Sequence, residues 1–188
     1  ERAYRYGQVF LGYNDIPTID IHHYLEPELN MHHVSTAFAT RLRITAQTGD
    51  IRNHKIWIAD PAYTPLDEAF SAMDKWLLAP KDLNQDEVSD RCFSADGTVL
   101  AQGANVWNDK WNQQPQGDCA KKFPIYSNSR IQAGGPWSGS IFKCHTVSVA
   151  TAITSGFYGS HDMTAYEAQL AAIFPDGVCD YRLGDSAR

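Results

Sequence analysis

No Cys-x-x-Cys pair occurs among the four cysteines of this 188-residue chain, Cys92, Cys119, Cys144 and Cys179, so a thiolate zinc site has no scaffold. His-x-His on a strand, His-x-x-x-His on a helix and His-Glu-x-x-His are all missing, which removes the common metal frames; no metal and no cofactor are expected. No apolar run approaches the ~20 residues of a membrane-spanning helix. An excess of positive charge is lacking too. The formal net charge is −6, which argues against nucleic acid or an anionic membrane as partner. Gly-x-Ser-x-Gly between a strand and a helix is also absent. The nearest stretch, "GGPWSGS" around Ser138, has Pro136 in place of the first glycine and reads as a turn. The chain therefore offers neither a nucleophile nor an oxyanion hole. There is no leader segment and the first residue is Glu, so the sequence reads as a processed product or as part of something longer.

What is present can fold. Apolar residues make up 43% and charged residues 20%, enough to bury a core. Five Trp and nine Tyr beside nine Pro and thirteen Gly suggest a loop-rich chain held by large side chains. Four widely spaced cysteines fit two disulfides in an oxidising compartment, secreted or periplasmic. Three pairings are open. Cys92–Cys119 with Cys144–Cys179 is favoured, because nearest neighbours close loops of roughly 30–35 residues, each worth about 3–4 kcal/mol in the chain-entropy description. The alternative is four buried thiols in a cytosolic protein.

The chain divides near residue 80. In residues 1–80, "ERAYRYGQVFLG" has helical spacing at Tyr4, Val9 and Phe10 and stops at Gly12. "IPTIDIHH" and "HKIWIA" read as strands. The segment up to Gly49 places Val34, Phe38, Leu42 and Ala46 on one helical face. In "TPLDEAFSAMDKWLLAP", Thr64 is the N-cap, Pro65 opens the helix, Asp67 takes the box position and Pro80 ends it. Its stripe is Leu66, Ala69, Phe70, Met73 and Leu77. Strand, helix, strand, helix implies a parallel sheet. Two strands are too few for a stable domain, so these read as the last strands of a larger sheet. Residues 81–163 lose helical periodicity. "GTVLAQGANVW" reads as a short hairpin or extended piece, and "TAYEAQLAAIF" as a helix capped by Thr164 with Glu167 at the box position. "DLNQDEVSD" (Asp82, Asn84, Asp86, Asp90) loosely resembles a calcium loop but lacks its glycine, and a solvated acidic turn is expected.

The chemistry concentrates in "TIDIHHYLEPELNMHH". In open α/β sheets, sites collect at loops following the carboxyl ends of strands. Glu26 sits just past such an end, and His32 and His33 sit at the next helix start. A carboxylate fixes one imidazole tautomer while the other ring nitrogen takes a proton from a nucleophile. Asp20, inside the strand, is a second candidate acid. The structural alternative is a helix that simply begins with HH and an Asp20 engaged in a buried hydrogen bond. His22 and His23 are expected to be structural or to line the pocket.

The segments "RAYRYGQVFLG…IPTIDIHHYLEPELNMHH…FATRLR", "IYSNSRIQAGGPWSGSIFKC" and "LAAIFPDGVCDY" resemble the C-terminal third of a family of large secreted bacterial proteins, catalogued as a domain of unknown function with an α/β-hydrolase-like core and distantly similar to tannase-like and hydroxybutyrate-oligomer esterases. That resemblance implies an α/β fold. Residues 1–80 would be the C-terminal part of the hydrolase-type parallel sheet, and residues 81–188 a disulfide-stapled, loop-rich extension packed on it. It also implies a secreted serine ester hydrolase whose serine lies on an N-terminal segment or separate chain, with an ester as substrate. His32 carries over as base with His33 in reserve. "YLEP" maps the acid onto Glu26, although Asn30 stands where the family's motif has Asp and no His follows the strand in "ADPAYTP". Trp107, Trp111 and Trp137 are candidate substrate contacts, with buried packing as the alternative. The rival readings are an aromatic-rich extracellular binding module and a structural subunit of a catalytic partner.

Overall fold

The computed structural model describes residues 2–78 and 88–187. In chain order its elements are α1 (Arg2–Arg5), β1 (Thr18–His23), α2 (Ser35–Thr48), β2 (His54–Ala59), α3 (Leu66–Leu78), β3 (Arg91–Phe93), β4 (Val99–Gln102), α4 (Asp118–Lys122), α5 (Ser129–Gln132), β5 (Cys144–Val147), α6 (Val149–Thr154), α7 (Glu167–Ile173) and β6 (Val178–Asp185). They fall into two compact units, Val9–Asn128 and Glu1–Gln8 with Ser129–Arg188. The compositional shift at residue 80 thus lies within the first of these.

The Val9–Asn128 unit is a four-stranded mixed sheet in the order β1-β2-β3-β4. β1, β2 and β3 run parallel, linked through α2 and α3, and β4 returns antiparallel on β3. The expected two strands are therefore four. The three-residue β3 is too short to display a period of two. β2 is central, with five of its six residues buried, while all six residues of β1, at the edge, are half-buried.

Alternation along β2 gives the sheet two different faces. Trp57 and Ala59 pack with Ala69, Ala72 and Trp76 of α3, and with Val88 and Phe93. From the other face, Trp107 donates its indole N–H to the Ile56 carbonyl (3.0 Å). The Phe38 ring of α2 meets Trp107 and Trp111 at 5.7 and 5.1 Å.

Both long helices bury a face rotated from the expected one. Four residues advance about 400°, so an i, i+4 series drifts about 40° per step. In α2 the buried set is Ser35, Ala37, Phe38, Arg41 and Ile44, with Val34 buried just before it, while Leu42 is half-buried and Ala46 exposed. In α3, Ala69, Ala72 and Trp76 face the sheet, and Phe70 is 70% and Leu77 61% exposed. The two alanines admit the sheet closely and Trp76 fills the remaining space. Pro80 and the turn residues Asp82, Asn84 and Asp86 lie outside the described residues. The expected first helix ends at Arg5 rather than Gly12. Gly12 has φ +108° and no room for a Cβ against the Arg43 backbone, which makes it a close-approach glycine rather than a helix stop.

The second unit pairs β5 with β6 antiparallel. Asp185 gathers the Tyr4 hydroxyl (2.6 Å) and the Phe142, Lys143 and Ala187 amides. The expected Thr164 cap is replaced by Asp162, whose carboxylate accepts the Thr164 N–H (3.0 Å), because a 3₁₀ turn over Thr164–Tyr166 precedes α7. Disulfides join Cys92 to Cys119 and Cys144 to Cys179, one in each unit. Among the described residues no helix is long and apolar enough to cross a membrane.

Candidate functional site

β1 presents Thr18, Asp20 and His22 to one face and Ile19, Ile21 and His23 to the other. Asp20 lies between two imidazoles. His22 Nε2 is 2.8 Å from one carboxylate oxygen, and His54 Nε2, at the start of β2, is 3.5 Å from the other. The second contact is electrostatic rather than a good hydrogen bond, in keeping with a His54 Nε2 that is buried without a hydrogen-bond partner among the described residues. Arg41 donates its Nε–H to His54 Nδ1 (3.4 Å), so the His54 proton sits on Nε2, facing Asp20. The guanidinium also clasps Asp90 at 2.5 and 2.6 Å, and Asp90 accepts the Ile56 amide as well. Arg41, His54 and Asp90 are all buried. The result is a polar chain His22–Asp20–His54–Arg41–Asp90 beneath α2. Burial pushes the Asp20 carboxyl up, but the hydrogen bond from His22 and the proximity of His54 outweigh it and hold the group well below the usual carboxylate range.

The loop after β1 is organised by Glu26. A 3₁₀ turn over Glu26–Glu28, with Pro27 in its first turn, ends at Leu29 in the left-handed region (φ 52°). Glu26 is 2% exposed. Its Oε1 accepts the Val34 amide at 2.8 Å, at the start of α2, and its Oε2 is buried without a partner among the described residues. Burial pushes the Glu26 carboxyl up, only partly opposed by the Val34 N–H and by His33. Beside it the Tyr24 phenol is pushed up to about 12, first by burial and then by the Glu26 and Tyr126 charges. Tyr24 therefore stays a donor, to the Pro124 carbonyl at 2.8 Å.

The expected Glu26–His32 pair is not formed. Glu26 is turned inward to the helix start, and Asn30 takes the place beside the imidazole. Asn30 Oδ1 accepts both the His32 backbone N–H (2.9 Å) and the ring Nδ1–H (3.0 Å). The backbone donor fixes that atom as oxygen, so Nδ1 carries the proton and Nε2 keeps its lone pair. His32 is exposed. His33 Nδ1 is 2.6 Å from the Ser35 hydroxyl, and His23 Nε2 is 2.8 Å from that of Thr64. The structure thus brings Asp20 together with His22 and His54, not with His32 or His33.

Trp107 and Trp111 are core residues, with their indole N–H groups spent on the Ile56 and Trp107 carbonyls; neither has a face to offer a ligand. Trp137 is half-buried in the other unit, where Ser138 Oγ lies 2.9 Å from Ser140 Oγ. Asp90, read as part of an acidic turn, is instead a buried partner of Arg41. Among the described residues no group of three or more His, Cys, Asp or Glu is arranged to hold a metal ion.

Residues 1–187 match a tannase-like family of unknown function (DUF6351), and the chain belongs to that family. Neither a curated protein nor a solved structure matches it.

Proposed function

We propose that this chain is the acid–base portion of a secreted carboxylic-ester hydrolase whose serine nucleophile lies on an N-terminal segment or a separate chain. The observation that carries the reading is His32, an exposed imidazole in the loop at the carboxyl end of a parallel strand, with Nδ1 held by Asn30 and Nε2 open. Membership of a tannase-like family supports ester chemistry, the parallel β1-α2-β2-α3-β3 order supports a hydrolase-type sheet, and the two disulfides support an extracellular location. His32 Nε2 takes the serine proton as the oxygen attacks the ester carbonyl. It returns that proton to the leaving alcohol, and the acyl group is then hydrolysed by water. Asn30 orients the ring, as an amide does in Cys-His-Asn sites. Glu26 holds the loop through Val34 rather than touching the base, and His33 is the reserve.

A second reading has its own observation, the 2.8 Å contact between Asp20 and His22. It would make that pair the acid and base, with His32 a bystander. The two readings separate in the complete protein assayed on a chromogenic carboxylic ester. His32→Ala should lower kcat by at least about 100-fold, the scale of general acid–base catalysis, while His22→Ala leaves it within about threefold. The reverse pattern would replace the first reading with the second, and full activity in both variants would remove the hydrolase role from this chain.

A further inference from the structure

We infer that the Val9–Asn128 unit carries a binding site for a neutral polyhydroxylated ligand, a saccharide, in a carboxamide-lined cleft between the end of β4 and the start of α4. The cleft has a volume of about 640 Å³, and its polar lining includes Gln102, Asn105, Asn108, Gln114, Gln116 and Asp118. That volume falls within the range of small-molecule sites. No lysine or arginine lines it. Its one charged residue, Asp118, is paired with Lys121 at 2.8 Å. Neither an anion nor a cation would therefore find an uncompensated opposite charge, and the apolar side chains of the lining are Ala104, Val106 and Pro115.

Five carboxamides in one cleft offer alternating donors and acceptors. Each supplies two N–H groups and a carbonyl oxygen, which match the hydroxyls of a sugar, each both donor and acceptor. Asn108 has one of these atoms engaged, accepting from Asn112 at 2.9 Å. The side chains of Gln102, Asn105, Gln114 and Gln116 have no hydrogen-bond partner among the described residues, and all four are exposed. Their amides are spent on nothing in the fold.

The backbone beneath them is fixed. The Gly117 N–H donates to the Asn108 carbonyl (2.7 Å), and the Cys119 and Ala120 N–H groups both donate to the Val106 carbonyl (3.0 and 3.1 Å). The Cys92–Cys119 disulfide ties the same wall to β3. A Cβ at Gly117 would overlap the carbonyls of Asn105 and Val106, so the two walls touch where only glycine fits. The fixed backbone sets the spacing of the carboxamides, and binding must still order their exposed side chains. Trp107 and Trp111 lie buried nearby and cannot stack on a sugar ring, so recognition here runs through hydroxyls rather than through an aromatic platform.

The test is titration of the isotope-labelled complete chain with maltopentaose, cellopentaose and chitopentaose, reading the side-chain NH₂ signals. An acidic pentasaccharide and a Gly/Ser pentapeptide serve as comparisons. At least one neutral saccharide should shift the Gln102, Asn105, Gln114 and Gln116 signals together. The exposed double variant Gln114→Ala/Gln116→Ala should keep the parent melting temperature and lose roughly tenfold in affinity, the scale of one to two net hydrogen bonds. No saccharide binding, binding undiminished in the double variant, or stronger binding of the acidic sugar or the peptide would each overturn the assignment.

Discussion

Asp20 and Glu26 are six residues apart, and their carboxyl groups have opposite fates. Asp20 lies in a strand between two imidazoles and is held strongly ionised. Glu26 lies in the next loop, more deeply buried, with one amide for a partner and one oxygen unpaired among the described residues, and it is pushed toward its neutral form. The difference is one of partners rather than of residue type. Desolvation raises both, and only Asp20 has enough opposing charge to reverse it. The carboxylate best placed to hold an imidazole is therefore the one in the sheet, while the loop carboxylate shapes the backbone that displays His32.

The largest effect should come from breaking the buried Arg41–Asp90 ion pair behind Asp20. Arg41→Ala leaves Asp90 buried and uncompensated, and about 3–5 kcal/mol of stability should be lost in urea denaturation. The pair Arg41→Met/Asp90→Asn removes both charges and keeps an acceptor for the Ile56 amide, and it should recover part of the loss. A loss well under 1 kcal/mol for Arg41→Ala would mean that the buried pair does not hold the sheet and helix together. A smaller effect is expected at the loop. Glu26→Ala removes the acceptor for the Val34 amide and should cost about 1–2 kcal/mol, as for other helix-start acceptors. Glu26→Gln keeps an acceptor without the buried charge and should be close to neutral.

The pH dependence of stability sharpens the contrast through its sign. Asp20 has a depressed folded-state pKa, so its contribution is present above its unfolded value of 3.8 and is lost as pH falls through the folded value. Glu26 has a raised one, so stability linked to it is greatest below its unfolded value of 4.5 and declines as pH rises through the folded value. Urea midpoints measured from acid to neutral pH should flatten on the acid side in Asp20→Asn and on the neutral side in Glu26→Gln. Identical profiles in the two variants would erase the distinction. The smallest effect belongs to His32→Ala. With its exposed ring bonded, among the described residues, to Asn30 alone, stability should change by no more than about 0.5 kcal/mol.

Two of the three parallel strands, β1 and β2, were legible in the sequence as short β-rich runs, and both long helices were legible from their periodic spacing. Gly49, left-handed at φ 71°, ends α2 as expected. The buried faces were less legible, since i, i+4 counting drifts and apolarity alone does not separate Phe70 from Trp76. Arg41 was the missed signal: it falls on the buried stripe of α2 at 37, 38, 41 and 44, and a charge in that row calls for a buried partner. That partner, Asp90, lies 49 residues away, beyond any local pattern. Likewise His54 meets Asp20 only because β1 and β2 pair in register. In the loop, proximity in sequence was misleading. Glu26 and His32 share a short segment, but the amide of Val34 competes for the carboxylate and wins because the helix start is buried.

The most direct test of the central claim is fluorophosphonate labelling of the complete protein, with His32→Ala beside Asn30→Ala and with folding checked by circular dichroism. The account predicts that a serine outside this chain takes the probe in the parent, that His32→Ala abolishes labelling while the fold persists, and that Asn30→Ala slows it. Labelling of folded His32→Ala at the parent rate would contradict it and strip His32 of its role as the base.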